Sequence, residues 1–207
     1  YRAEARAVAR TLIEALDGAD AVVTPSGSCC AMTRHYHELF AGEPEWQARG
    51  AALAGKTYEL ASFLIERSPA AAHGEGGDVP GGGPAFDARV DARVSWHDSC
   101  HGLRELGLRD APRRLLAAVD GLELVEAPLR EECCGFGGAF AVKNDQISVA
   151  MADRKIDELE TLGVDYVTGA DLSCLMQLGG RLQRRRSKIQ ALHFAELIAG
   201  GLREAAR

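Results

Sequence analysis

After residue 90 the chain alternates between short apolar segments and longer helical ones, and this alternation restricts the fold more than any other feature. Strands are predicted at 90–96, 122–125, 165–168 and 188–192. Helical patterns lie between or after them, at 102–119, at 144–162, beyond Cys174 and from His193 onward. This order predicts parallel strands joined by right-handed helical crossovers, and so an α/β fold.

The first 67 residues carry a smaller version of the same pattern. A helix is predicted at 2–17, a buried strand at 21–24, and two further helices at 31–40 and 47–67. The stretch 68–89 is rich in glycine and proline and is predicted to be a flexible linker or loop. We therefore divide the chain into a first domain at 1–67, a linker at 68–89 and a second domain at 90–207.

Cysteines follow the predicted strands. Cys29 and Cys30 come after the strand at 21–24, Cys100 after 90–96 and Cys174 after 165–168, and a further pair lies in the loop after 122–125. Ligands of parallel sheets gather at the carboxyl ends of the strands. Four cysteines of the second domain are therefore predicted to meet at one edge of its sheet: Cys100, Cys133, Cys134 and Cys174.

The adjacent pair Cys133 and Cys134 leads directly into Gly135. A disulfide between neighbouring residues is strained, and a single zinc ion usually takes ligands two to four residues apart. Adjacent thiolates suit a polynuclear cluster, and glycine lets backbone N–H groups approach its negative charge. Four thiolates match the ligand count of a [4Fe–4S] cluster, while a structural zinc site and inert buried thiols remain alternatives.

Composition excludes several classes of protein. The net charge of −6 argues against general nucleic-acid binding, and no apolar run or signal peptide indicates membrane insertion or export. Six cysteines in 207 residues are too few for a disulfide scaffold, so reduced thiols in a cytoplasmic protein are expected. The chain starts at Tyr1 instead of methionine, which suggests a fragment.

Four segments together resemble the cysteine-rich (CCG) domain of a family of iron–sulfur proteins. They are Pro-Ser-Gly-Ser-Cys at 25–29, His-Asp-Ser-Cys-His-Gly-Leu-Arg at 97–104, Glu-Cys-Cys-Gly-Phe-Gly-Gly at 132–138 and Cys-Leu-Met at 174–176. The chain is most similar to the lactate utilization protein A group. It is more distantly similar to the CCG-containing component of heterodisulfide reductase and to the iron–sulfur component of glycolate oxidase. The similarity covers essentially the whole chain outside the linker.

The resemblance implies two cysteine-rich domains in a pseudo-repeat, each able to carry a cluster. The second set is complete, whereas Cys29 is the only member of the first, whose other cysteines are expected before Tyr1. A weak internal similarity fits such a repeat: Val-Thr precedes Ser-Cys by a few residues at 23–29 and again at 167–174. Heterodisulfide-reductase domains end in Cys-x-x-Cys, but Ser26 and Asp171 occupy the first position here. A four-thiolate cluster is therefore favoured. Asp171 as an additional oxygen ligand stays an alternative, and Cys30 is an extra thiol to which no role is assigned.

Other polar residues flank these cysteines. His97 and His101 are expected either to hydrogen-bond cluster sulfur or to pack, and Asp98 to cap the following helix or orient a histidine. Arg104 and Lys143 are expected to neutralise cluster charge or to lie on the surface.

The resemblance further implies an electron-transfer subunit that relays electrons through a [4Fe–4S] cluster while a complex oxidises L-lactate to pyruvate. The implied partners are a ferredoxin-like iron–sulfur protein and a companion subunit. No NAD or flavin motif is present, because the glycines at 135–138 lack the G-x-G-x-x-G spacing, so a component of an oxidoreductase is expected instead of a self-sufficient dehydrogenase. The alternatives are a heterodisulfide- or quinone-reducing subunit and a non-redox, zinc-stabilised interaction module.

Overall fold

The strands form two parallel sheets in a computed structural model that describes residues 1–67 and 86–200. The first sheet pairs β1 with β2, and the second has the order β4-β3-β5-β6. The predicted α/β fold with parallel strands is thereby confirmed. The strands are β1 Val22–Thr24, β2 Thr57–Glu59, β3 Arg89–Trp96, β4 Asp120–Leu124, β5 Tyr166–Gly169 and β6 Gln190–His193.

Helices connect the strands in both sheets. In the described part of the chain, none of them is long and apolar enough to span a bilayer. A 3-10 turn at Tyr36–Phe40 and a π-helical turn at His101–Glu105 complete the regular elements. The α-helices are α1 Arg2–Ala15, α2 Gly27–His35, α3 Pro44–Gly55, α4 Leu60–Arg67, α5 Asp110–Ala117, α6 Ala139–Lys143, α7 Asp145–Leu162, α8 Leu172–Arg185 and α9 Phe194–Ile198.

The strand order of the second sheet determines where a site forms. β3 lies in the interior of the sheet, with β4 on one side and β5 on the other. After β3 the chain forms β4 on one side of it, and it then crosses over to form β5 on the other side of β3. Ligands of open parallel sheets bind at such a reversal, just beyond the carboxyl ends of the two neighbouring strands. Here those ends are Trp96 and Gly169.

Apolar side chains cover both faces of this sheet. One face packs Val94, Trp96 and Tyr166 against α5 and α9, and the other packs Val167 against α7 and α8. Successive residues of a strand point to opposite faces, which explains why Tyr166 and Val167 belong to different clusters. A third cluster packs side chains of α1, the 3-10 turn and α3 around Ile13. Full burial of each large apolar side chain stabilises the folded state by roughly 1.5–3 kcal/mol.

Two helix predictions were wrong in part. The predicted helix at 47–67 is interrupted by β2, because Thr57, Tyr58 and Glu59 pair with β1, a partner more than 30 residues away. The predicted helix at 102–119 is interrupted at 106–109, where Gly107 adopts a φ of +68°. Of the predicted linker at 68–89, residues 68–85 lie outside the described range, and Arg89 already belongs to β3.

The two sheets are joined where α2 meets the π-helical turn. A Cβ on Gly27 would lie 3.1 Å from the Cα atom of Gly102, so the two backbones touch. The His193 ring binds the carbonyl of Pro25 through Nε2 at 2.7 Å and accepts the Ala195 N–H through Nδ1. A carbonyl only accepts, so the proton of the neutral ring resides on Nε2.

Glu59 makes the stability of the fold depend on pH. Its side chain is 2% exposed, Oε2 accepts the N–H groups of Ala61 and Ser62, and Oε1 has no partner. Burial raises the pKa of Glu59 to about 7 despite the opposing backbone hydrogen bonds. Between its ordinary pKa and 7, the folded chain therefore holds a proton that the unfolded chain releases.

We expect the free energy of unfolding to fall by about 3 kcal/mol as the pH rises from 4.5 to above 7. Glu59→Gln removes the ionisable group and abolishes this part of the pH dependence. Urea denaturation of both chains across this pH range measures it. Glu66→Gln, at the mouth of the same small cavity, is the control and retains the wild-type dependence.

Candidate metal centre

Four cysteines line one cavity of about 220 Å³ beyond the carboxyl ends of β3 and β5. Cys100 comes from the turn after β3, and Cys174 from the first turn of α8. Cys133 and Cys134 reach the cavity from the loop between β4 and α6. The structure thus brings the predicted set together. The other lining residues are Ser28, His101, Phe136, Gly137, Gly138, Asp171 and Ser173.

Glycine shapes the loop that carries the cysteine pair. Gly135 adopts a φ of +88°, and a Cβ there would lie 2.5 Å from the carbonyl oxygen of Ser148 on α7. Only glycine allows both this conformation and this approach. The Gly135 N–H donates to the sulfur of Cys133 at 3.4 Å. One backbone N–H of the loop therefore points at a cysteine sulfur.

A buried lysine on α7 forms hydrogen bonds with the backbone of the same loop. The Lys155 ammonium, on α7, donates to the carbonyl oxygens of Leu129, Arg130 and Glu132, the last at 3.0 Å. The residue is 4% exposed, and burial lowers the pKa of Lys155. Sequence reasoning missed this residue, although a lysine on the apolar stripe of an amphipathic helix was a readable signal.

A carboxylate on α7 completes the attachment of the loop. Glu158 accepts the Leu129 N–H with both of its oxygens, at 3.1 and 2.9 Å. Leu129 thus contacts Glu158 through its N–H and Lys155 through its carbonyl. Both backbone polar groups of Leu129 are satisfied by side chains of a single helix, which fixes the loop on that helix.

The cysteine sulfurs influence one another. The hydrogen bond between Cys134 and Cys174 lowers the pKa of Cys134 and raises that of Cys174, so one sulfur favours the thiolate and the other keeps its proton. Burial, followed by the charge of Cys133, raises the pKa of Cys100. Several thiolates cannot coexist here without a positive partner, and a metal group would provide one.

His97 is buried beside these sulfurs, and neither of its ring nitrogens has a hydrogen-bond partner of ordinary geometry. The residue is 3% exposed, and its ring contributes to the lowered pKa of Cys134. One ring nitrogen and the sulfurs of Cys134 and Cys174 all lie within 4.8 Å of one another. His101, the other predicted histidine, is exposed and lies with Nδ1 3.6 Å from the Cys100 sulfur.

The prediction that Asp98 caps a helix was wrong. The π-helical turn has no side-chain cap, and the buried Asp98 carboxylate instead accepts Trp96 Nε1 at 2.8 Å and both terminal nitrogens of Arg113. A buried carboxylate requires a partner of opposite charge, and Arg113 on α5 is supplied by the fold and not by a sequence neighbour. This pair anchors the segment between His97 and Cys100.

Asp171 connects the two cysteine-bearing helix starts. Its carboxylate accepts the Ser28 N–H at 3.0 Å and the Ser173 hydroxyl at 2.5 Å. Burial raises the pKa of Asp171, but the hydrogen bonds from Ser173 and Ser28 outweigh this and lower it. The residue is 2% exposed and lines the cavity.

The remaining predicted residues lie outside the cavity. Cys29 is exposed in a separate apolar groove, and the buried Cys30 faces Glu59, where burial raises the pKa of its thiol. Arg104 is exposed, and its charge acts on Cys100; Lys143 is exposed on α6. Thus the structure separates Cys29 from the other four cysteines.

Comparison with known proteins agrees with this arrangement. The cysteine-rich domain family, CCG, matches residues 94–179, which contain β5 and all four cavity cysteines. The fold and the site therefore define a cysteine-rich domain protein.

Comparison with individual proteins identifies a narrower family within this class. Lactate utilization protein A 2 of Bacillus cereus strain Q1 is 40% identical over 203 residues, covering 98% of this chain and 78% of the relative. Lactate utilization protein A of Geobacillus kaustophilus is 43% identical over 198 residues, covering 96% and 77%. The corresponding protein A 1 of Bacillus anthracis is 39% identical over 203 residues, covering 98% and 78%. The chain belongs to the lactate utilization protein A family.

Proposed function

We propose that this protein is an electron-transfer subunit in L-lactate utilization, with a [4Fe–4S] cluster held by Cys100, Cys133, Cys134 and Cys174. The observation that carries the proposal is that one cavity gathers four thiols from three separate segments of the chain. Their number matches the ligand count of such a cluster, and the cavity is many times larger than a single ion requires. When bound, the cluster would accept and release one electron.

The protein groups around the cavity suit a negatively charged cluster. The Gly135 N–H already points at the Cys133 sulfur, and N–H groups of His101 and Phe136 act to lower the pKa values of Cys100 and Cys134 respectively. Hydrogen bonds to sulfur and burial set the potential of an iron–sulfur cluster. These residues would therefore orient the ligands and stabilise the reduced form.

Electron relay is favoured over disulfide chemistry. The position that Cys-x-x-Cys would fill holds Asp171, whose oxygens are already engaged with Ser28 and Ser173. On the helix that carries Cys174, the apolar side chains of Leu172 and Met176 are more than half exposed and offer a surface for a redox partner. A ferredoxin-like protein and a companion subunit are the partners we propose, in the complex that oxidises lactate to pyruvate.

The thiol state supports a cytoplasmic location. All six cysteines fall within the described residues, and all six are free. Thiols persist where the compartment is reducing. We also propose that Cys29 belongs to a second cluster set whose other members this chain does not supply.

We expect anaerobically purified protein to contain about four irons and matching sulfide per chain. Cys133→Ser removes one thiolate and is expected to lose most of the iron and the visible absorbance that bleaches on reduction. Iron analysis and spectroscopy measure both. Cys29→Ser is the matched control, because its thiol faces another groove, and it should retain the cluster of the main cavity.

Full iron content in Cys133→Ser would refute the ligand assignment. A wild-type chain that takes up zinc but no iron, even when iron and sulfide are supplied anaerobically before any zinc, would refute electron transfer and favour a zinc-stabilised module. Iron that is present but is not reduced by a low-potential donor would also contradict a relay.

A further inference from the structure

Three buried residues form a compact set that shares two members with the four-cysteine set. The ligand atoms of His97, Cys134 and Cys174 all lie within 4.8 Å of one another. Cys100 and Cys133 line the same cavity but lie outside this set. The four-cysteine assignment uses two members of the set and leaves His97 unexplained.

The ring nitrogens of His97 are buried, and neither has a hydrogen-bond partner of ordinary geometry among the described residues, although the ring lies close enough to Cys134 to help lower the pKa of that thiol. A buried polar group without a full hydrogen bond costs about 1–3 kcal/mol. An imidazole that is kept dry beside two thiols is a standard donor for a soft divalent metal ion. A metal ion would satisfy the nitrogen that the described residues leave unpartnered.

The spacing fits one ion. Ligands at about 2.0–2.3 Å in a tetrahedron lie roughly 3.5–3.8 Å from one another. Since no separation in the present set exceeds 4.8 Å, the ligand atoms need to approach by no more than about 1 Å to reach that geometry. Two sulfurs and one imidazole nitrogen leave a fourth position for water, the arrangement of an open zinc site.

We propose that His97, Cys134 and Cys174 bind a single Zn²⁺-type ion, and that this ion and the four-thiolate cluster exclude each other. The site is independent of Cys100 and Cys133. Both occupants need the sulfurs of Cys134 and Cys174, so zinc bound here blocks cluster assembly. The cavity then has two alternative metal states. The exclusion rests on the proposed function, whereas the zinc site itself does not.

Titration of cluster-free protein with Co²⁺ under anaerobic conditions tests the site, because cobalt bound to thiolate is coloured. The wild-type chain should take up one equivalent with tetrahedral and thiolate charge-transfer bands. His97→Gln should weaken cobalt binding by about 100-fold, since a direct ligand is lost. His97→Cys, which restores a soft ligand, should recover most of the affinity.

Cys133→Ser is the matched control. It removes a ligand of the proposed cluster and leaves the three-residue set intact, so cobalt binding should remain within about threefold of wild type. Zinc added before iron and sulfide should reduce iron uptake in the wild-type chain and much less in His97→Gln. Circular dichroism checks that each variant is folded.

Equal cobalt affinity in the wild-type and His97→Gln chains would overturn the proposal, as would an equal loss in Cys133→Ser. These outcomes are separate from those of the cluster hypothesis. A wild-type chain that never takes up iron but binds cobalt through His97 would refute the cluster and leave this site in place.

Discussion

Gly135→Ala is expected to destabilise the protein by about 3 kcal/mol or more and to abolish stable iron binding. An alanine at a positive φ costs of order 1–3 kcal/mol, and crowding a packed contact costs about 1–3 kcal/mol more. At this position the new Cβ would lie 2.5 Å from the Ser148 carbonyl oxygen, which belongs to a helix backbone and cannot rotate away. Relief requires the loop to lift from α7, and the cysteine pair moves with it.

Gly138→Ala is the matched control for this variant. Gly138 also has a positive φ, +56°, but a Cβ there meets no atom within 4 Å. The Gly138→Ala variant should lose only the free energy of unfolding that the positive φ costs, and it should keep most of its iron. Urea denaturation and iron analysis of the two variants separate steric contact from backbone strain. Equal losses in both would show that the approach to Ser148 does not shape the loop.

Arg113→Met is expected to lower the free energy of unfolding by about 3–5 kcal/mol, because it leaves the buried Asp98 carboxylate without its cation. The Asp98 side chain is 1% exposed, and Arg113 provides two of its hydrogen bonds. Arg130 lies 3.7 Å from the same carboxylate and compensates only in part. Chemical denaturation measures the loss.

Two further variants make this prediction specific. Arg109, at the start of the same helix, forms an exposed ion pair with Glu131, so Arg109→Met should change stability by less than about 1 kcal/mol. Combining Arg113→Met with Asp98→Asn removes the buried charge and should recover part of the loss. If the double variant is as unstable as the sum of the two single changes, the buried charge is not the cause.

The sequence predicted the second sheet better than the first. Its strands are bounded by turns and carry β-branched residues, so 90–96 and 165–168 agree with β3 and β5 to within a residue. β2 was not predicted because three residues are too few to show the apolar–polar alternation of a strand. Their conformation is determined by pairing with β1. The convergence of the four cysteines followed from parallel topology, which places strand ends at one edge.

Hydrogen bonds between side chains and groups distant along the chain could not be predicted from the sequence. Arg113 reaches Asp98 across 15 residues, and Lys155 reaches Glu132 across 23. Neither pair has a local spacing rule, since the packing of α5 and α7 on the sheet creates both contacts. Of the two alternatives for Asp98, capping is wrong for this reason: cap propensity is a local property, whereas the burial of the Asp98 charge depends on the fold.

Lys155 has a consequence for how this protein acquires its metal. Small zinc domains have no folded state until the ion arrives, whereas here a lysine of the polypeptide itself secures the cysteine-bearing loop through three carbonyl oxygens. We therefore expect the cysteine-bearing loop to keep its shape without metal. A chain that has lost its metal should then bind metal again without first being refolded.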